Sequence, residues 1–393
     1  MALQPAAGAR DLNPRQVEGN RRIRQTLAGV YRLWGYQEVD PPSIETLDTL
    51  AAGGGIAHEE LVRLVSDDPL GLRPELTASI ARAACTRMAD HPLPLRLWAD
   101  GNIFRCSQGD AGRLRIHQQI QSGVELLGEP SLSADVELIR LLLAATGSLG
   151  LQPEHKPTLL MGHHGLLQAL LEPLPAGLRE PARAALTSFD RLSLQALEPQ
   201  LGNSGQLLSL LELRGRPQQV LAQLQNRLGD MPLLQDLGRV IDLVTPAAQG
   251  LGVELQLDPT FQPHFNLYDG LVLKLVCQGA DVPIAIASGG RYDALVGRFS
   301  TPASLMTLPA AGVGFGFDVE HVRELVCSTR DGQQTVLVAR GPATPLEEAL
   351  ERLESLHSQG IPAELLGEAT PDRSTAEAVA SQRGCSDLIW LGS

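Results

Sequence analysis

Two blocks of strand-like sequence flank a long helical stretch, and this split most constrains the fold. LRLWADGNIFRC (95–106) alternates apolar and polar residues, with a turn expected at Asp100–Gly101, and IQSGVELLG (120–128) follows the polar SQGDAGRLR. Alternation of this kind reads as two antiparallel strands joined by a long loop. The strand pattern returns only at about 265, as LYDGLVLKLVC and then PIAIASGGRYD. Between the blocks, residues 132–149 and about 164–248 carry Arg, Leu and Gln at helical spacing, broken at LGNSG and RGRP. Strands left on either side of a helical insert need one another as partners. The expected core is therefore an α+β domain over 1–330 with one discontinuous antiparallel sheet.

The last stretch has a different rhythm. TVLVARG, PLEEALERLESLHSQG, IPAELLG, STAEAVASQRG and SDLIWLG read as strand, helix, strand, helix, strand. That order predicts a small parallel α/β unit over 331–393, with the boundary near 328–334. Near the N-terminus, Ile23, Leu27, Val30, Tyr31 and Trp34 predict a helix over 15–34, closed by Gly35.

Charge and composition exclude several functions. The net charge of −13 disfavours non-specific binding to nucleic acid or an anionic membrane. Only 4% of residues are aromatic, against a base-stacking strand binder. The five cysteines are widely spaced and form no CxxC, so neither a disulfide scaffold nor a zinc ribbon is expected. MALQPAAGARDLNP has no apolar leader core and no run is of membrane-spanning length, so a cytoplasmic protein is expected. Of 32 basic residues only Lys156 and Lys274 are lysines, which confines lysine chemistry to two positions.

Nucleotide-loop and hydrolase motifs are absent: no GxxxxGK[ST], HExxH or GxSxG occurs. GVGFGF (312–317) is not GxGxxG. His163–His164 reads as a polar helix start rather than a metal site, and Lys274 as a lysine reaching the polar face or an edge of a sheet. No cofactor and no metal are expected.

Four segments combine polar groups with a strand or turn. In LRPELTAS, Glu75 and Thr77 lie two apart and face one way if extended, a carboxylate and a hydroxyl suited to an ammonium group; the plainer reading is a helix cap by Thr77. NIFR ends on Arg105, whose planar fork fits a phosphate or carboxylate, or a sheet-face ion pair. In IQSGVE, Gln121, Gly123 and Glu125 share a face, with the glycine leaving room for a ligand. SGGRYDALV allows close backbone approach beside Tyr292, or is a bare turn.

Together these segments resemble the class II aminoacyl-tRNA synthetases, specifically the histidyl-tRNA synthetase family. GARDLNP (8–14) resembles the family's GxRDxxP. WGYQEVDPP (34–42) looks like its first, dimer-interface motif, and LRPELTASIARA is similar to LRPEGTAxxARA. Residues 97–128 resemble its second motif, and GGRYD matches outright. The likeness runs collinearly over roughly 8–325. It implies an antiparallel sheet of six or seven strands flanked by helices, a homodimer core, and a shortened anticodon-domain-like tail.

The departures shape the expected function. The family's RGLDYYTG corresponds to PHFNLYDG (263–270), so Pro263 stands for an arginine and Leu267 for the first tyrosine. In the third motif, His321 stands where an arginine clamps ATP phosphate, and Asp318 where a glycine belongs. Loss of such cations removes roughly 10²–10³ in rate each. This pattern resembles the non-catalytic branch of the family that serves as regulatory subunits of ATP phosphoribosyltransferase. That resemblance implies a short-form catalytic partner in a hetero-oligomer and feedback by L-histidine. By resemblance, Glu75, Thr77 and Gln121 would receive the α-ammonium, Glu125 and Tyr268 the imidazole, with Tyr292 lining the pocket and Arg105 left for an anionic group. The alternatives are a divergent histidine–tRNA ligase and a tRNA- or protein-binding paralogue; the acidic balance argues against tRNA.

Overall fold

The computed structural model describes residues 5–52, 58–108, 114–200, 207–262, 267–300, 309–326 and 335–392. The chain forms two compact units, Met1–Val326 and Cys327–Ser393.

An eight-stranded sheet organises the first unit. In spatial order its strands are Gln37–Glu38, Leu95–Gln108, Leu114–Leu127, Gly312–Asp318, Pro283–Arg291, Leu271–Gln278, Thr158–His163 and Glu254–Leu257. The central six pair antiparallel, which joins the sequence blocks on either side of the insert. The two outermost strands pair parallel with their neighbours, so the sheet is mixed and larger than expected. These two edge strands are only two and four residues long, too short to show a period.

Asp100 and Gly101 do not make the expected turn; Leu95–Gln108 is one continuous strand. Gly101 is there because the Arg73 guanidinium lies where its side chain would be, 2.2 Å from an added Cβ. Asp100 is held by Arg24. Arg73 is buried and its Nε donates to the Asn102 carbonyl oxygen at 3.0 Å.

Alternation sorts the sheet into two faces. On one, Tyr31 of helix Pro14–Leu33 packs 5.8 Å from Trp98 and 6.2 Å from Phe315, ring centre to ring centre. On the other, Leu95, Leu97, Ala99, Ile103 and Leu127 meet Ile80, Ala84 and Cys85 of helix Thr77–Thr86 and Leu295 and Val296 of helix Asp293–Phe299. Leu97→Ala is expected to cost about 2–5 kcal/mol in a denaturant unfolding measurement, because the packed layers around it cannot close the gap.

Among the described residues six helices, from His164–Leu171 to Pro232–Gly250, lie between strands Thr158–His163 and Glu254–Leu257. Proline at the start of Pro217–Leu228 and Pro232–Gly250 sets their first turns. The second unit is a three-stranded parallel sheet with Val336–Arg340 in the centre. Leu337 and Ala339 face helix Arg373–Arg383, and Val338 faces helix Leu346–Ser358.

Candidate functional site

The site is built on the sheet face that carries Leu97 and Leu127. Strand register sets it out in rows. Glu125 stands opposite Gly314, which stands opposite Gly290 and then Val272. Gly123 stands opposite Gly316, then Ser288, then Lys274. Gly312, Gly314 and Gly316 therefore bare one strand face. An added Cβ would lie 2.4 Å from the Tyr292 ring at Gly312, 1.6 Å from Glu125 Oε2 at Gly314 and 2.6 Å from Gln121 Nε2 at Gly316. The glycines of GVGFGF thus give up their side chains to make space for three polar ones. Their period of two was the available signal, and a search for a nucleotide loop passes over it.

All seven predicted site residues come together on or beside this face. Tyr292 is buried and its hydroxyl donates to Glu125 Oε2. Glu125 is itself 3% exposed. The Thr77 hydroxyl lies within hydrogen-bonding reach of both Glu75 and Glu125. Tyr268 packs over Gly290, 2.8 Å from where a Cβ would be, and feels the charges of Glu125 and Glu75. Gln121 accepts the Leu76 N–H at 3.0 Å, which fixes its amide. Arg105 Nε donates to the Pro74 carbonyl oxygen at 3.0 Å, and its positive charge acts on Glu75 and Tyr268.

One detail differs from expectation. Glu75 and Thr77 do not lie on an extended segment, and Thr77 does not cap the helix. The helix begins at Thr77, and Glu75 accepts the N–H groups of Thr77 and of Ala78, the latter at 2.9 Å. Its carboxylate so meets the positive end of the helix.

Electrostatically the cluster is dominated by its carboxyls, with Arg105 the cation that acts on Glu75 and Tyr268. Burial pushes the Glu125 carboxyl up to about 8, opposed by the Tyr292 and Thr77 hydrogen bonds and reinforced by Glu75. Burial likewise raises Glu75, opposed by its hydrogen bonds and by Arg105. Desolvation and Glu125 raise Tyr292 and Tyr268 well above the ordinary phenol range. A buried and a half-buried carboxyl group, two phenols and a hydroxyl make a receptor for a small cationic, hydrogen-bonding group.

Beside the cluster a cleft of about 240 Å³ is lined by Arg105, Gln121, Lys274, Ser288, Asp318 and His321, among others. Asp318 Oδ1 accepts the N–H groups of Glu320 and His321, both at 3.0 Å, and Gln119 donates to Oδ2 at 3.2 Å. Burial raises this carboxyl too. His321 Nδ1 donates to the Ala285 carbonyl oxygen at 2.9 Å. Lys274 reaches the cleft and not a sheet edge, a placement that sequence left open. Pro263 lies outside the described residues. His163 caps helix His164–Leu171 by accepting the Gly165 N–H at 3.0 Å, as a polar helix start. Among the described residues no group of three His, Cys, Asp or Glu side chains is placed to hold a metal. Among the described residues no helix is long and apolar enough to cross a membrane.

A largely antiparallel sheet carrying this pocket, with a helical insert and a separate small α/β unit, defines a protein of the class II synthetase type. The histidyl-tRNA synthetase family model matches residues 8–322. Relatives from Prochlorococcus marinus strain MIT 9313 and Synechococcus sp. strain RCC307, each named ATP phosphoribosyltransferase regulatory subunit, are 50% identical with full coverage of both chains. The chain belongs to this family of regulatory subunits, the histidyl-tRNA synthetase-like branch. A crystal structure titled ATP phosphoribosyltransferase regulatory subunit/histidyl-tRNA synthetase from Bacillus halodurans superposes with TM-score 0.82 at 24% identity, over 100% of this chain and 99% of that one. A histidine–tRNA ligase subunit from Alicyclobacillus acidocaldarius matches with TM-score 0.61 at 25% identity, over 83% of this chain and 97% of that one.

Proposed function

We propose that the chain is the non-catalytic regulatory subunit of ATP phosphoribosyltransferase, required for the first step of histidine biosynthesis, and that L-histidine is sensed in the pocket around Glu75, Thr77, Gln121, Glu125, Tyr268 and Tyr292. The partner is a short-form catalytic subunit in a cytoplasmic hetero-oligomer built on a homodimer of this chain. The observation that carries the sensor reading is the pair of carboxyls, half-buried Glu75 and buried Glu125, with Thr77 between them. Such a pair favours a ligand that brings an ammonium and an imidazole. A ligand biases the complex only by binding its two states unequally.

The same cleft argues against catalysis by this chain. His321 stands where the resemblance calls for an arginine, with its Nδ1 committed to Ala285, and Asp318 beside it repels a polyphosphate. Pro263, in place of the other arginine, has neither a charge nor a donor.

The test mixes the chain with the short-form phosphoribosyltransferase of the same genome and follows phosphoribosyl-ATP formation. Activity is expected only with both proteins present, and histidine is expected to suppress it. Failure to activate a folded catalytic subunit overturns the regulatory reading. Histidine-dependent ATP–pyrophosphate exchange by this chain alone would establish a ligase instead.

A further inference from the structure

We infer that Lys274 receives the carboxylate of the amino acid bound in this pocket, an assignment that rests on the histidine-sensor reading. A free amino acid brings a carboxylate as well as an ammonium, and Glu75 and Glu125 repel it. The cleft beside the cluster holds two cations, Arg105 and Lys274, and Arg105 is already turned toward Glu75 and the Pro74 carbonyl oxygen. Lys274 lies on the site face, in the row of Gly123, Gly316 and Ser288, and lines the cleft together with Gln121. Gly316 and Ser288, the residues between, are small, and the Gln121 amide lies over Gly316, between the lysine and the carboxyls. The strand of Lys274 is three removed from that of Glu125 and its row lies two residues along, about 16 Å in all by sheet spacing. The lysine's four-carbon stem and the ligand together span that distance.

The ammonium is held ready without being neutralised. It lies 5.8 Å from the centre of the Phe261 ring, and among the described residues no carboxylate pairs with it. Phe261 is itself placed by Asp258, whose Oδ1 accepts the Thr260 N–H at 2.8 Å, the Thr260 hydroxyl at 2.7 Å and the Phe261 N–H at 3.1 Å. An aromatic face steadies a cation yet leaves its hydrogen-bond donors free for an anion. Lysine is also the exception in a chain that otherwise relies on arginine, with Lys156 its one other instance. The outcome is a bipolar site, acidic at Glu75 and Glu125 and basic at Lys274 in the cleft beside them.

Calorimetric titration of the full-length chain, alone and with its catalytic partner, tests this with three probes. These are L-histidine, histidinol, which replaces the carboxylate by a hydroxymethyl group, and inorganic phosphate. The wild-type chain is expected to prefer histidine over histidinol, and Lys274→Met to lose histidine affinity on the order of 10- to 100-fold while leaving histidinol affinity unchanged. Lys274→Arg is expected to restore part of the preference. An unchanged histidine-to-histidinol ratio in Lys274→Met, with Glu125 still required for binding, overturns the assignment and spares the pocket. Phosphate binding that depends on Lys274 while histidine binding does not would assign the lysine to a different anion and overturn it equally. Histidine binding that ignores Glu125, or is absent in both preparations, overturns the sensor reading and this inference with it.

Discussion

Glu125→Ala is expected to lower the affinity of the chain for histidine by on the order of 100-fold or more, read by calorimetry. The carboxyl is buried and hydrogen-bonded by Tyr292, and truncation removes the carboxyl proposed to meet the imidazole while leaving that hydroxyl unsatisfied. Glu125→Gln keeps the shape and separates loss of charge from loss of packing. The pH dependence distinguishes them further. The empty pocket keeps a proton on Glu125 up to about pH 8, whereas free histidine keeps one on its imidazole only below roughly pH 6.5. Between these values protein and ligand already hold the single proton that an imidazole–carboxyl pair shares. Below that window binding must release a proton, and above it binding must take one up. Affinity is therefore expected to be level inside the window and to fall on both sides, approaching tenfold per pH unit. Glu125→Gln should lose the alkaline limb and keep the acid one. Unchanged titration by Glu125→Ala would remove histidine from this pocket. The same raised pKa has a cost for the empty protein. The protonated carboxyl is favoured in the folded state, so its contribution to stability is full below the ordinary carboxylate range and is lost as pH rises to about 8.

Gly314→Ala should be the most damaging single-methyl change on the site face. The new Cβ would lie 1.6 Å from Glu125 Oε2 and 2.6 Å from the Val124 carbonyl oxygen, so backbone blocks the only direction of retreat. Either Glu125 leaves Tyr292 or the two central strands separate. The expected cost is about 1–3 kcal/mol of unfolding free energy together with loss of histidine binding. Gly316→Ala is the control. There the nearest group is the end of the flexible Gln121 amide, at 2.6 Å, and the change should weaken binding with little effect on stability. Equal stability of Gly314→Ala and the parent in denaturant titrations would show that the glycine row does not set the pocket.

Period-two alternation showed the long hairpin in advance, and its restart near 265 showed that the sheet is discontinuous. A shared polar face singled out Gln121 and Glu125, and the paired glycines of SGGRYDALV singled out Tyr292. What alternation cannot show is a cross-strand neighbour. Asp100–Gly101 has the composition of a turn, and only the Arg73 guanidinium, distant in sequence, explains why it stays in the strand. Lys274 read as a lysine reaching the polar face or an edge of a sheet, and its row-mates Ser288 and Gly316 become visible only once three strands are in register. The capping role of Glu75 was hidden for a related reason. Ser and Thr are the stronger sequence signals for a cap, yet here a carboxylate two residues upstream reaches the free N–H groups first.

The discontinuous sheet also has a consequence in time. Gln121 pairs in register with Asp318, so the hairpin edge waits for a strand made 197 residues later. At about 5–20 residues per second of synthesis, that is a delay on the order of 10–40 s. Through that interval the Leu114–Leu127 edge has its backbone groups unsatisfied and Val124 and Leu126 exposed beside it, the conditions under which strands pair with the wrong neighbour. The helical insert is largely local in its contacts and can form while the hairpin waits. Yield of soluble chain should therefore depend on translation rate and on chaperones that hold open strand edges, and a circular permutant placing the Gly312–Asp318 strand before the hairpin should depend on them less.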